Sequence, residues 1–327
     1  YINNGFDFSE MLSELLGELN VSHTGSTYWG NGYTLSTACL GLFFDPAYEG
    51  DGLKVQEVLR RGPFDVRNTK VKAGDIIEAI DGEKIEAGKD YNAMLDGKVG
   101  RPVRVMLKGG REVVVKPISS GEQSKLLYRR WVDRNKAMVD KWSNGQIAYV
   151  HVKAMDSESF RTVFSELLSD SNRQKKAVIV DERHNGGGWL HDDLCTLLSG
   201  RQYQSFVPRG QFIGWDPWNK WVKPSCVLVC EDDYSNGHGF PYVYQKLGIG
   251  PVIGAPVAGT MTAVWWETML DGQTVFGIPQ VGCLGMDGKY GENQTLIPDI
   301  TVYNTPEQQL SGDDQQLRRA VEEMLKK

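Results

Sequence analysis

The sequence predicts an α/β protein that carries a separate, smaller β-rich unit. Three observations lead there. From 146 to 254, short apolar runs alternate with stretches of helical spacing, the pattern of an α/β layer. From 37 to 118, several short apolar runs are broken by Gly, Pro and Asp-Gly turns, with little helical spacing. The third observation is the stretch 177–198. It opens on the β-branched run Ala177 to Val180, passes through Gly186, Gly187 and Gly188, and continues with apolar residues at 190, 194, 197 and 198. That is strand, glycine turn and helix. Glycines there let the backbone approach a ligand closely. Free N–H groups at the helix start face the same place. No phosphate-loop lysine follows and no Gly-x-Gly-x-x-Gly spacing is present. On the glycines alone the turn has two readings, an oxyanion hole or a tight turn with no chemistry.

The chain has 327 residues, 40% hydrophobic and 24% charged, with a net charge of −6. That length suits two domains. The acidic balance offers no basic stripe, so nucleic acid is not an expected partner. No apolar run approaches the ~20 residues that span a bilayer. The chain does not begin with Met and enters a helix almost at once, which reads as a piece of a longer protein. The compartment stays open, and the prokaryotic cytoplasm and the periplasm both fit. Five cysteines at odd spacings (Cys39, Cys195, Cys226, Cys230, Cys283) read as free, mostly buried thiols.

The first helix is expected at 7–20, capped by Asp7 with Glu10 in capping-box position, and with Met11, Leu12, Leu15, Leu16 and Leu19 as its apolar stripe. Ser22 and His23 follow on a loop. That is a plausible catalytic placement, although a surface Ser-His pair taken alone is often inert. In the β-rich unit, strands are expected at 40–44, 53–58, 75–80, 103–107 and 112–116, and a short helix at 90–95. Helices are expected at 122–142, 157–168, 240–247 and 313–327, and strands at 146–152, 226–230 and 251–254. Residues 199–224, with three tryptophans and three prolines, read as a long irregular excursion suited to lining a pocket or reaching a neighbouring subunit of a homo-oligomer. His184, His191, Asp192 and Asp193 cluster in sequence, but acids at a helix start are ordinary, so no metal is expected.

Two resemblances join these pieces. Leu40-Gly41-Leu42-Phe43 resembles the carboxylate-binding loop of a PDZ domain, and residues 72–82, Lys-Ala-Gly-Asp-Ile-Ile-Glu-Ala-Ile-Asp-Gly, resemble that domain's signature. The implied groove adds a peptide as an extra strand and holds its carboxylate on backbone N–H groups. Across the whole chain, the ordered set resembles the tricorn-type branch of the carboxyl-terminal processing (S41) serine peptidases. The set is 18–23 with Ser22-His23, the PDZ-like unit, 181–188 with its Asp-x-Arg-x-Asn-Gly-Gly-Gly pattern, 291–293 and the tail 310–317.

The resemblance implies a crotonase/ClpP-like α/β protease core with an inserted β-rich PDZ domain and an N-terminal helical segment. The domains would be 1–36, 37–118 and 119–327. It implies a peptide or unfolded-protein substrate and no cofactor. His23 would be the base, oriented by Ser22 and Glu292, with Gly188 giving one oxyanion N–H and His238 the other. The nucleophile turn departs from the family pattern. It reads Tyr234-Ser235-Asn236-Gly237, with Gly237 where serine is expected. The reading adopted is an inactivated peptidase that binds but hardly cuts, with Gly237 in place of the nucleophile. Two others stand beside it: a natural pseudopeptidase that captures peptide C-termini, and Ser235 taking over the attack. The family's P1 preference resides in an acid of the excursion. Residues 202–208 hold none, so Phe206 and the nearby tryptophans suggest an apolar pocket.

Overall fold

The computed structural model describes residues 2–30 and 36–327, so parts of the expected 1–36 segment (1 and 31–35) lie outside the described residues. The chain divides into two units, 1–31 with 135–327 and, separately, 32–134.

Helix α1 is Gly5–Gly17. Its cap is Asn4, whose side-chain oxygen accepts the Asp7 N–H at 2.9 Å, so Asp7 stands inside the first turn instead of capping it. The expected apolar stripe is only partly covered. Leu16 is buried, while Met11, Leu15 and Leu19 are exposed. Strand β1, Gly25–Tyr28, follows the Ser22-His23 loop.

The smaller unit is an antiparallel sheet. Its strands are β2 (Leu42–Phe44), β3 (Leu53–Val58), β4 (Ile76–Ile80), β5 (Glu83–Lys84), β6 (Val103–Leu107) and β7 (Arg111–Val115). The order is β2-β3-β4-β6-β7, with β5 on β4, so β2 lies at an edge. Alternate residues such as Val103, Val105 and Leu107 point into one core with Leu40, Leu42, Val55, Ile77 and Ile80. The helix expected at 90–95 is a single 3₁₀ turn, Asn92–Leu95. Gly41 stands at φ 66, a conformation that suits glycine, and a side chain there would strike the Pro63 ring. Leu40, Leu42, Phe44, Tyr91 and Leu95 line a groove of about 290 Å³ beside the β2 edge.

Helix α2, Ser120–Trp142, leads into the larger unit. There follow β8 (Ile147–His151), α3 (Ser157–Leu167), α4 (Asp170–Arg173), β9 (Ala177–Asp181) and α5 (His191–Leu198). The excursion carries a short ribbon, β10 (Gln204–Phe206) with β11 (Gly214–Asp216), where irregular chain was expected. Then come β12 (Ser225–Val229), α6 (Asn236–Lys246), β13 (Val252–Gly254), β14 (Thr262–Thr268), β15 (Thr274–Gly282), β16 (Ile300–Thr301), α7 (Pro306–Ser311) and α8 (Gln315–Leu325).

The central sheet is parallel throughout, in the order β16-β13-β12-β9-β8. Helices cover both of its faces, which is why β8, β9 and β12 are buried at every position and read as unbroken apolar runs. Leu194, Leu197, Phe240 and Tyr244 of α5 and α6 share one core with Val178, Val180, Val227 and Val229. Helix α8 packs on β8, β9, β12 and β13. Because β9 and β12 are adjacent and parallel, the turns that follow them leave the same edge of the sheet side by side. A second sheet, β1-β15-β14, is antiparallel and holds the residues just before β1 against the start of β14.

Candidate active site

The turn after β9 and the turn after β12 are fastened to each other. Asn185 is their hub. Its side chain donates to the Val152 carbonyl at 2.8 Å and accepts the Gly187 N–H at 2.8 Å. Its backbone carbonyl accepts the Tyr234 N–H at 2.9 Å, and its N–H reaches Asp233 Oδ1 at 3.2 Å. From the other turn, Asn236 Oδ1 accepts from Leu190 and His191 N–H at 2.8 and 3.0 Å, satisfying orphan donors at the start of α5. Burial raises the Asp233 carboxyl to about 8.

Behind the first turn, Asp181 and Arg183 form a buried ion pair. The Arg183 Nε and Nη2 donate to the two Asp181 oxygens at 2.9 and 2.7 Å. Arg183 Nη1 also donates to Asp314 Oδ2 at 2.8 Å, tying the turn to the cap of α8. Tyr149 donates to Asp181 Oδ2 at 2.9 Å. Burial by itself would raise the Asp181 carboxyl, but the Arg183 charge prevails and holds it below its ordinary value. The Asp-x-Arg part of the pattern is therefore a buried brace under the turn.

The β1-β15-β14 sheet brings Ser22 and His23 to these turns. His23 Nε2 lies 2.8 Å from Ser235 Oγ. His23 Nδ1 lies 2.9 Å from Ser22 Oγ, which donates to Glu292 Oε2 at 2.9 Å. The Ser22 N–H donates to Glu292 Oε1 at 2.6 Å. A carboxylate only accepts, so the chain of donors runs from His23 Nδ1–H to Ser22 to Glu292. His23 Nε2 is then left as an acceptor for the Ser235 hydroxyl. Burial, partly offset by the Glu292 charge, lowers the His23 pKa below its ordinary value, which favours the neutral ring.

Ser235 has φ 58 and ψ −120, a backbone conformation that a non-glycine residue seldom adopts. It caps α6, and its N–H donates to Thr260 Oγ1 at 2.7 Å. The strand, the strained serine and the following helix together form a nucleophile-elbow geometry.

Two sequence expectations are corrected here. Position 237 does not face the base. It lies inside α6, its N–H donates to the Tyr234 carbonyl, and a Cβ there would stand 2.7 Å from the Asn185 carbonyl oxygen. The residue against His23 is Ser235, because the elbow comes two residues earlier than the family spacing suggested. The His238 N–H is also spent, since it donates to the Ser235 carbonyl at 2.9 Å inside the first turn of the helix. Among the described residues, the backbone N–H groups of Gly188 and Asn236 have no acceptor, and both residues line the cleft with His23 and Ser235.

The cleft has a volume of about 180 Å³. Trp189, Met261, Ala263 and Val264 form its apolar wall, and none of its lining residues carries a fixed charge. Phe206 and the excursion tryptophans are not in that wall. Trp215 and Trp218 instead lie against Arg173.

Glycine is required at 187 and 188 for two reasons. Both have positive φ, and a Cβ at 187 would lie 2.5 Å from the Ser235 Cβ. Three contributors were missed in the sequence. Thr262 Oγ1 lies 2.8 Å from Ser22 Oγ and 3.0 Å from His23 Nδ1. The Tyr234 hydroxyl accepts the His23 N–H at 2.7 Å. Asn236 is the third. Thr262 and His23 are far apart in the chain, so no local signal marks that contact. Asn236, the residue after a serine in an elbow, could have been found. The sequence cluster of His184, His191, Asp192 and Asp193 does not assemble. His191 Nδ1 meets the Asn236 amide at 2.8 Å, while His184 turns to Asp232.

Comparison with known proteins adds to this geometry. The family model described as Peptidase family S41 matches residues 146–302, and that of the Tricorn protease PDZ domain matches 46–120. The chain is 26% identical to the Tricorn protease of Thermoplasma acidophilum, over 98% of this chain and 31% of that protein. It is 28% identical to Tricorn protease homolog 1 of Streptomyces coelicolor, over 96% of this chain and 30% of that protein. It thus spans about a third of the length of the curated relatives it matches. The crystal structure of the tricorn protease superposes with a TM-score of 0.86 at 24% identity, over 99% of this chain and 33% of that one, which speaks for a common fold. With both its core and its PDZ unit matched in this order, residues 146–302 form a domain of the peptidase family S41 type and residues 46–120 a PDZ domain of the tricorn type.

Proposed function

We propose that this chain carries a competent serine peptidase site in which Ser235, not position 237, is the nucleophile. The observation that carries the reading is the 2.8 Å contact between His23 Nε2 and a strained Ser235 Oγ at the mouth of an apolar cleft. The expectation of an inactivated chain rested on Gly237 and has no support in this geometry. Ser235 Oγ attacks the scissile carbonyl, and His23 takes its proton. The Gly188 and Asn236 N–H groups hold the oxyanion. His23 then protonates the leaving amine, and water repeats the sequence on the acyl-enzyme. Ser22, Glu292 and Thr262 are positioning residues that fix the ring and its tautomer.

The uncharged apolar wall supports a preference for apolar side chains beside the scissile bond. In the smaller unit, the groove at the β2 edge, which Leu40 and Leu42 of the Leu40-Gly41-Leu42-Phe43 segment line, supports capture of a peptide as an added strand.

The test is covalent labelling. A serine-directed phosphonate should modify one residue, and peptide mapping should find it on Ser235. Labelling elsewhere, or none while short apolar peptides are cut, overturns the assignment. A second expectation concerns pH. The base works as the neutral ring and its pKa is lowered, so kcat/KM should hold at pH 6.5 and fall only as the pH drops further. A break above 6.5 in the pH profile would contradict His23 as the base in this environment.

A further inference from the structure

The two turns that build the cleft also bring together three donors of another kind. His184 comes from the turn after β9, and Cys230 and Asp232 come from the turn after β12. None of the three lines the cleft of His23 and Ser235. His184 Nδ1 lies 3.0 Å from each Asp232 carboxylate oxygen and 3.8 Å from Cys230 Sγ. Cys230 Sγ is 2.8 Å from Asp232 Oδ1. The ligand atoms all fall within 4.8 Å of one another.

We propose that His184, Cys230 and Asp232 form a site for a borderline-soft divalent transition metal, zinc or cobalt, with water completing a tetrahedron. With metal bonds of about 2.0–2.3 Å, tetrahedral ligand atoms stand roughly 3.3–3.7 Å apart. The sulfur–nitrogen separation of 3.8 Å lies just above that range. The two separations to the carboxylate are shorter and open by a small rotation of Asp232, whose side chain is 66% exposed. A thiolate and an imidazole in the donor set select zinc or cobalt over magnesium or calcium, which take oxygen ligands.

The surroundings fit a metal thiolate. The His184 N–H donates to Cys230 Sγ at 3.1 Å, a hydrogen bond that stabilises negative charge on sulfur. The sulfur lies at a buried floor, while the imidazole and carboxylate above it are open to solvent, which gives an ion a way in. Burial and the neighbouring Asp233 push the Cys230 thiol pKa up, so the metal-free sulfur keeps its proton. On binding, the S–H bond breaks, the S–metal bond forms and the proton leaves to solvent. No oxidant or reductant is involved. The bound ion would join the turn of Asn185 and Gly188 to the turn of Ser235, a cross-link that the hydrogen bonds among Asn185, Asp233 and Tyr234 supply only in part.

The test is titration of the reduced chain with Co²⁺, read in the near-ultraviolet sulfur-to-metal charge-transfer band. The band should saturate at one equivalent, vanish on adding Zn²⁺ and persist with excess Mg²⁺. It should be lost in Cys230→Ser. Because Cys230 is buried, His184→Ala gives a second reading at an exposed side chain, with Co²⁺ affinity at least about tenfold weaker. Zn²⁺ should raise the Tm of the wild-type chain and of neither variant. Absence of the band, or an equal band in both variants through Cys39 or Cys283, overturns the site.

Discussion

Ser235→Ala is expected to lower kcat by about 10⁶-fold, the scale on which loss of a nucleophile acts when the rest of a serine peptidase machinery remains. The fold should survive, because the change removes one oxygen from a residue whose backbone is already held by Thr260 and by the first turn of α6. Peptide affinity should stay close to that of the parent chain. The companion variant is Gly237→Ser, which the sequence alone suggests as a restoring change. The structure predicts the reverse. The new Cβ would sit 2.7 Å from the Asn185 carbonyl oxygen, which accepts the Tyr234 N–H beside Ser235. Side-by-side steady-state kinetics should therefore rank the parent chain first, Gly237→Ser below it, and Ser235→Ala at background. If Gly237→Ser gains activity while Ser235→Ala loses none, the elbow has been assigned to the wrong residue.

Arg183→Met is expected to destabilise the larger unit by about 3–5 kcal/mol, read as a lower urea midpoint. The guanidinium is 4% exposed and bonds both Asp181 and Asp314, so its removal leaves buried carboxylates without a counter-charge. Adding Asp181→Asn to the same chain should recover part of the loss, because the charge left behind is then gone. Equal stability of Arg183→Met and the parent would show that the brace contributes nothing. The pH dependence has a definite sign. The Asp181 carboxyl is lowered in the fold, so its contribution is present above the ordinary value of 3.8 and is lost as the pH falls through the lower folded value.

Much of this molecule was legible in its residues. The apolar runs at 146–152, 177–180 and 226–230 read as strands with helical spacing between them, and the structure has strands at Ile147–His151, Ala177–Asp181 and Ser225–Val229. The smaller β unit was marked by its turn residues. Of the expected set, His23 and Gly188 line one cleft, while Ser22 and Glu292 bond each other beside His23 although 270 positions separate them. Other readings failed where sequence carries no positional information. The apolar stripe of α1 is legible from its period, but periodicity shows that a face is apolar and not what covers it, and only Leu16 of Met11, Leu15, Leu16 and Leu19 is buried. The excursion tryptophans were placed in the pocket by nearness in the chain, whereas Trp215 and Trp218 pack on Arg173.

By itself the sequence determined the α/β class and the resemblance to S41 and tricorn PDZ domains. Those follow from hydrophobic period, turn chemistry and residue identity, which are local properties of a chain. Only the tertiary structure decided which atom stands against His23. That depends on the φ of a single residue at the end of β12, on the carbonyl of Asn185 blocking position 237, and on a base delivered by a separate antiparallel sheet. A shift of two residues along a turn leaves composition and motif almost unchanged, yet it moves a hydroxyl from a helix interior to within 2.8 Å of an imidazole.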